Sequence, residues 1–166
     1  MKRESILTNK ILAYKEIPDF NMDESVDWAI DMISLGYDTP SLLILAGLSK
    51  PTNFFETENY LLETLKELSV ELPVKEIALR NYYRYFITLI ADSVDVKENL
   101  YQLYKIAGTQ PENKAIFDFY LLYWAWDDFD SGNTYTHYWQ DATAESIEKL
   151  TIAKAKEWLK ENYILS

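Results

Sequence analysis

Apolar side chains recur every three or four residues along most of this chain, and glycines and prolines fall between the runs or at their edges. That period gathers the apolar positions on one face of a helix, so the pattern predicts an all-α protein. Ile6, Leu7, Ile11 and Leu12 share one side of a first helix over about 4–14, and Pro18 ends that region. Asn21 followed by Glu24 has the form of a capping box for a second helix over about 23–35, in which Val26, Ile30 and Ile33 recur. Gly36 stands where such a helix takes its C-terminal cap. Thr39 and Pro40 supply a hydroxyl and a first-turn proline for a third start. Behind them LLILAGL is apolar on all sides, which predicts a short buried helix closed by Pro51.

Asn53 with Glu56 is a second capping box, and its helix carries Phe54, Leu61, Leu65 and Leu68. Pro73 opens a fifth helix over about 74–92, whose run YYRYFITLIA predicts a central position and whose Arg80 and Arg84 share a face. Asp95 and Glu98 cap a sixth, with a stripe of Val96, Leu100, Leu103 and Ala107; Gly108 is expected to end it, and Pro111 marks the next junction. A seventh helix over about 113–129 leads into a loop of Ser131, Gly132, Asn133 and Thr134. The last helix is expected over about 142–162, with Ile147, Leu150 and Trp158 facing one way and Lys149, Lys156 and Lys160 towards solvent. Seven or eight helices with short connections predict antiparallel αα-hairpins in a single helical domain over 1–166, either a bundle or an irregular HEAT-like stack. No fixed-period repeat is visible.

Composition narrows the function classes. The 166 residues are 48% hydrophobic, ample for one core. There is no cysteine, which excludes disulfides, thiolate metal sites and cysteine nucleophiles and fits a reducing compartment. The opening MKRESILTNKILAYKEI has basic residues but no unbroken apolar run, so a signal peptide is not expected. No stretch approaches the length of a membrane span, and a cytoplasmic protein is expected. Sixteen basic residues against 27 acidic leave a net charge of -11. Phosphate backbones and anionic lipid repel such a surface, so the expected partner is a basic protein rather than nucleic acid or membrane.

Residues 117–139, FDFYLLYWAWDDFDSGNTYTHYW, hold ten of the 25 aromatics and the only histidine, His137. Phe117, Tyr120, Tyr123 and Trp124 recur at helical spacing and read as core. Asp127, Asp128, Asp130, His137 and Asp141 could in principle serve a divalent metal, but no standard ligand spacing is present. A calcium loop counted from Asp128 would put Asn133 at the glycine position and Trp139 at the closing acid, and one histidine cannot supply a two-histidine zinc site. Asp127 and Asp130 share a helix face, as an acid–base pair would need, whereas Asp127 and Asp128 do not. Nucleophile elbows, P-loops and dinucleotide fingerprints are absent. Tyr135, Tyr138 and Trp139 fall in the loop, where they serve either as contact residues or as a cover for the end of the bundle. Five acidic residues and no lysine or arginine lie between Tyr123 and Glu145.

The run DWAIDMISLGYDTPSLLILAGLSKPTNFFETENYLLETLKEL, then FYLLYWAWDDFD, YW and a final KAKEWL helix, resembles a family of small acidic all-helical bacterial proteins, over about 28–159. The resemblance implies an immunity-protein-like role against a secreted toxin, and it assigns no binding residues. The expected function is therefore a non-enzymatic acidic binding protein that occludes a basic partner. Its expected contact residues are Asp127, Asp128, Asp130, Tyr135, His137, Tyr138, Trp139 and Asp141, and no catalytic residue, metal or cofactor is expected. A HEAT-like scaffold binding a peptide is the first alternative. A metal-dependent hydrolase using Asp127, Asp128, Asp130 and His137 is the second.

Overall fold

The computed structural model describes residues 4–109 and 114–163. In them lie eight α-helices: α1 (Thr8–Ile11), α2 (Asp23–Ser34), α3 (Pro40–Ala46), α4 (Phe54–Glu67), α5 (Lys75–Ala91), α6 (Val96–Thr109), α7 (Phe117–Asp130) and α8 (Ile147–Glu161). Two 3₁₀ turns, Tyr14–Glu16 and Lys114–Ile116, complete the order, and no strand occurs among the described residues. The protein is all-α, as its periodicity predicts. Among the described residues no helix is long and apolar enough to cross a membrane. The expected junction at Pro111 and helix start at Asn113 lie outside the described residues.

The chain divides into two compact units, Met1–Tyr82 and Tyr83–Ser166. In the first, α1 packs on α2, α2 on α3 and α3 on α4. Its core gathers Ile11, Tyr14, Met22, Trp28, Met32, Leu42, Leu45, Leu61 and Leu65. Trp28 is fully buried, and its indole N–H donates to Thr8 Oγ1 at 2.9 Å, so the largest core side chain leaves no polar atom unpaired. In the second unit α6 packs on α7, and α8 packs on both. Leu100, Leu103, Ile116, Phe119, Leu122, Ala125, Ile147, Ala155 and Trp158 are buried there, together with Tyr83, Phe86, Ile87 and Ile90 of α5.

Two helix ends follow the chemistry of their residues. Gly36 takes φ +91° and closes α2 in a Schellman motif, with Gly36 N–H donating to Ile33 O and Tyr37 N–H to Met32 O. Asn53 caps α4, its side chain accepting from Glu56 N at 3.1 Å.

Six expectations are corrected. The first helix spans only Thr8–Ile11 rather than about 4–14, and α3 starts at Pro40 without a capping bond from the Thr39 side chain. The box at Asn21 does not form: Asn21 Oδ1 accepts from Asp23 N, and the Glu24 carboxylate pairs with Lys10 Nζ at 2.5 Å instead of reaching back. LLILAGL is not buried on all sides. Leu42 and Leu45 are enclosed between α2 and α4, while Leu43 and Ile44 on the outer side stay about half exposed. Gly108 does not end α6, which runs on to Thr109. The last helix starts at Ile147 rather than 142, because Thr143 and Ser146 exchange side chain-to-backbone bonds of 2.9 and 3.2 Å that close a turn in front of it.

One clip in the first unit titrates. The Asp23 carboxylate accepts from Thr52 N at 2.8 Å and Thr52 Oγ1 at 2.9 Å. The bond from the Thr52 amide, then that from its hydroxyl, hold Asp23 below its ordinary value of 3.8. A lowered folded-state value gives stability above 3.8 that is lost as pH falls through that folded value. Asp23→Asn should therefore lower the urea midpoint at neutral pH, with the gap to the native protein closing in acid. A gap that stays constant with pH contradicts this linkage.

Candidate functional site

Helix α7 carries two apolar stripes at helical spacing, and only one of them goes inside. Phe119, Leu122 and Ala125, continued from Ile116, are fully buried. Phe117, Tyr120, Tyr123 and Trp124, expected in the core, instead lie at the surface: Phe117 is 48% exposed and the other three are partly exposed. The stripe of Phe119, Leu122 and Ala125, which narrows to a methyl, lets α7 approach α6 and α8 closely, whereas tyrosines with polar tips are better placed at the edge.

On α6 the predicted stripe of Val96, Leu100, Leu103 and Ala107 is buried, and Tyr101 and Tyr104 stand on its flank. The flanking rings of the two helices form one array. Tyr104 stacks on Tyr123 with centroids 4.0 Å apart and planes 18° apart, and on Tyr120 at 5.5 Å. Tyr101 stacks on Tyr104 at 6.0 Å and tilts over Tyr123 at 5.6 Å. Phe117 stacks on Tyr120 at 5.9 Å. Trp124 turns its edge to Tyr104 at 5.4 Å and stacks on Tyr138 of the following loop at 6.1 Å. Such pairs are each worth about 1 kcal/mol beyond the area they bury, so the array is held in shape while still facing solvent. An open cleft of about 520 Å³ beside it is lined by Lys97, Glu98, Tyr101 and Tyr123.

The loop after α7 is built by its first residues. Gly132 takes φ +87°, with Gly132 N–H bonded to Phe129 O and Asn133 N–H to Asp128 O, a second Schellman ending. Thr136 then anchors the loop. It is buried, donates to Asp128 Oδ2 at 2.7 Å and accepts from Tyr138 N at 3.2 Å. That anchor leaves Tyr135 65% and Tyr138 42% exposed, with His137 edge-on to Tyr135 at 4.8 Å. Trp139 is partly buried, and Asp141 is exposed at φ +61°.

The acidic residues do different work. Asp130 pairs with Lys97, and Asp128 receives Thr136. Among the described residues the Asp127 carboxylate has neither a hydrogen-bond nor an ion-pair partner, and it lies close enough to Tyr123 to act on its phenol. Burial first, and then the Asp127 charge, push Tyr123 above its ordinary 10.0, with Lys97 opposing. All three aspartates stand in the last turn of α7, which has no basic residue. Carboxylates there are disfavoured by the helix dipole, and together they deepen a negative potential beside the rings. Elsewhere Arg80 pairs with Glu76 at 3.7 Å, and Arg84 donates to the Asn162 carbonyl, its guanidinium 5.9 Å from the Trp158 ring.

Among the described residues no group of three or more His, Asp or Glu side chains is placed to hold a metal ion. The eight expected contact residues thus lie on the last turn of α7 and the loop behind it, joined to the ring array through Tyr138 on Trp124. Sequence reasoning did not select Tyr101 and Tyr104. Their signal was available as two tyrosines, one helical step apart, flanking the apolar stripe of α6. The chain matches no protein-family model, no curated protein and no solved structure.

The Thr136 anchor is testable. Thr136→Val should cost about 1 kcal/mol and speed amide exchange at Tyr138 and its neighbours more than in the helices. Unchanged exchange across 133–139 would show that Thr136 does not hold the loop.

Proposed function

We propose that the protein is a non-enzymatic acidic binding protein that covers a basic surface on a partner protein, in the manner of an immunity protein. The observation that carries this reading is the end of α7. Three aspartates sit against the helix dipole with no basic residue in that turn, next to exposed Tyr135 and Tyr138. Local rules of helix stability are broken there in a direction that favours an incoming cation. Opposite charge speeds encounter, and buried aromatic area slows release, so the two residue types together suit tight capture of a basic surface. The net charge of -11 acts in the same sense at longer range. A metal-dependent hydrolase draws less support, because among the described residues no group of three or more His, Asp or Glu side chains is placed to hold a metal ion. The pairing of Asp128 with Thr136 and of Asp130 with Lys97 leaves Asp127 as the carboxylate of that turn with no internal partner among the described residues.

The reading is tested by calorimetric titration against the basic product of a neighbouring gene, with the triple substitution Asp127→Lys, Asp128→Lys and Asp130→Lys as comparison. A stoichiometric complex is expected that weakens with added salt and loses at least about tenfold in affinity in the triple variant. Absence of a complex, or a complex indifferent to both salt and charge reversal, overturns the reading.

A further inference from the structure

The ring array on α6 and α7 is a contiguous aromatic surface in which Tyr104, Tyr120, Tyr123 and Trp124 are partly exposed, and exposed aromatic patches mark contact sites. Tyr101, Phe117 and Tyr138 are each between 38% and 48% exposed. No residue outside the second unit is needed to describe it.

Its surroundings indicate what it would bind. Glu98 lines the same cleft as Tyr101 and Tyr123, and Asp127 acts electrostatically on Tyr123. Aromatic faces are themselves negative and attract cations. The array already carries such a contact: the Lys105 ammonium lies 4.9 Å from the centre of the Tyr101 ring. The cation that lines the cleft, Lys97, is engaged by Asp130. A second copy of this chain would bring its own excess of acidic residues against these carboxylates, and an anionic ligand would be repelled by them. Glu98 accepts from Gln102 Nε2 at 2.7 Å through one oxygen, and a purely apolar segment would leave the Asp127 carboxylate beside it uncompensated. Arginine meets both demands, because its flat guanidinium stacks on a ring while its N–H fork reaches a carboxylate.

We propose that the Tyr101–Tyr104–Tyr123 face of α6 and α7 is a docking surface for an arginine-bearing segment of a partner protein. The guanidinium stacks on exposed Tyr101 beside the partly exposed Tyr104 and Tyr123, and pairs with Glu98 or Asp127 at their edge. The inference rests on the reading of this protein as a binder of basic surfaces, and adds to it the side chain that is recognised and the place where it is held.

The test uses the full chain and three synthetic peptides: one alternating arginine and glycine, one with lysine in place of arginine, and one with the neutral isostere citrulline. Affinities are measured by calorimetry at low and at moderate salt. The arginine peptide is expected to bind, the lysine peptide several-fold more weakly, and the citrulline peptide not at all. Tyr101→Leu combined with Tyr123→Leu should lower arginine-peptide affinity by about tenfold, the effect of two lost cation–ring contacts. Because Tyr123 packs against Tyr104, Tyr101→Leu alone is measured too; a loss of about threefold is expected from that exposed position. Peptide binding weakened by Glu98→Gln with Asp127→Asn but untouched by the tyrosine substitutions would overturn the ring-docking inference and leave the basic-partner reading standing. Binding untouched by both sets, equal binding of arginine and citrulline peptides, or no binding of the arginine peptide also overturns the inference. The reading itself falls only on the charge-reversal titration of the whole partner.

Discussion

The packing of α7 against α6 decides what the second half of the chain looks like. Phe119, Leu122 and Ala125 go inside with Leu100, Leu103 and Ala107, and nothing larger than a phenylalanine lies on that seam. The small methyl at Ala125 and the small side at Ala107 allow a close approach of the two backbones. With that seam filled, the next positions round each helix have nowhere to go but its edge. The tyrosines at 101, 104, 120 and 123 and Trp124 therefore meet one another across the top of the seam rather than within it. Burying the stripe of Phe119, Leu122 and Ala125 is what leaves the tyrosine stripe at the edge.

The same geometry fixes the electrostatics. Once Tyr123 is at the edge, Asp127 one turn further on is at the edge as well, and the dipole of α7 adds to its charge. The Schellman ending at Gly132 then folds the loop back so that Thr136 reaches Asp128 and Tyr138 reaches Trp124. Rings and carboxylates belong to one surface because one helix end produces both.

Much of the fold was legible from residue order. Gly36 and Asn53 act where their chemistry places them, and the stripe of α6 is buried as its spacing predicts. The failures have a common physical cause. Spacing identifies a face but not which of two faces wins when a helix such as FDFYLLYWAW carries both. The tyrosine-rich stripe is the larger, yet the stripe of Phe119, Leu122 and Ala125 is the one buried against α6 and α8, where small side chains suit close packing. LLILAGL failed for a related reason: a seven-residue helix held on two sides leaves its third side outside, whatever its composition. Asn21 and Glu24 had the right spacing for a capping box, but a lysine from another helix competed successfully for the glutamate. The expected contact residues divide between the last turn of α7 and the loop behind it, where Tyr135, His137, Tyr138 and Asp141 are exposed and Trp139 is partly buried; the ring array that adjoins them is hard to see in the sequence because its two halves come from different helices.

The central claim is that α7 turns Phe119 inward and Phe117 outward with the tyrosine stripe. Hydroxyl-radical footprinting of the native protein, resolved to single residues by mass spectrometry, tests it directly. Phe117, Tyr101 and Tyr138 should label readily, while Phe119 should be protected to the level of the buried Trp28. Labelling of Phe119 as fast as Phe117, or protection of the whole tyrosine stripe, would contradict the account.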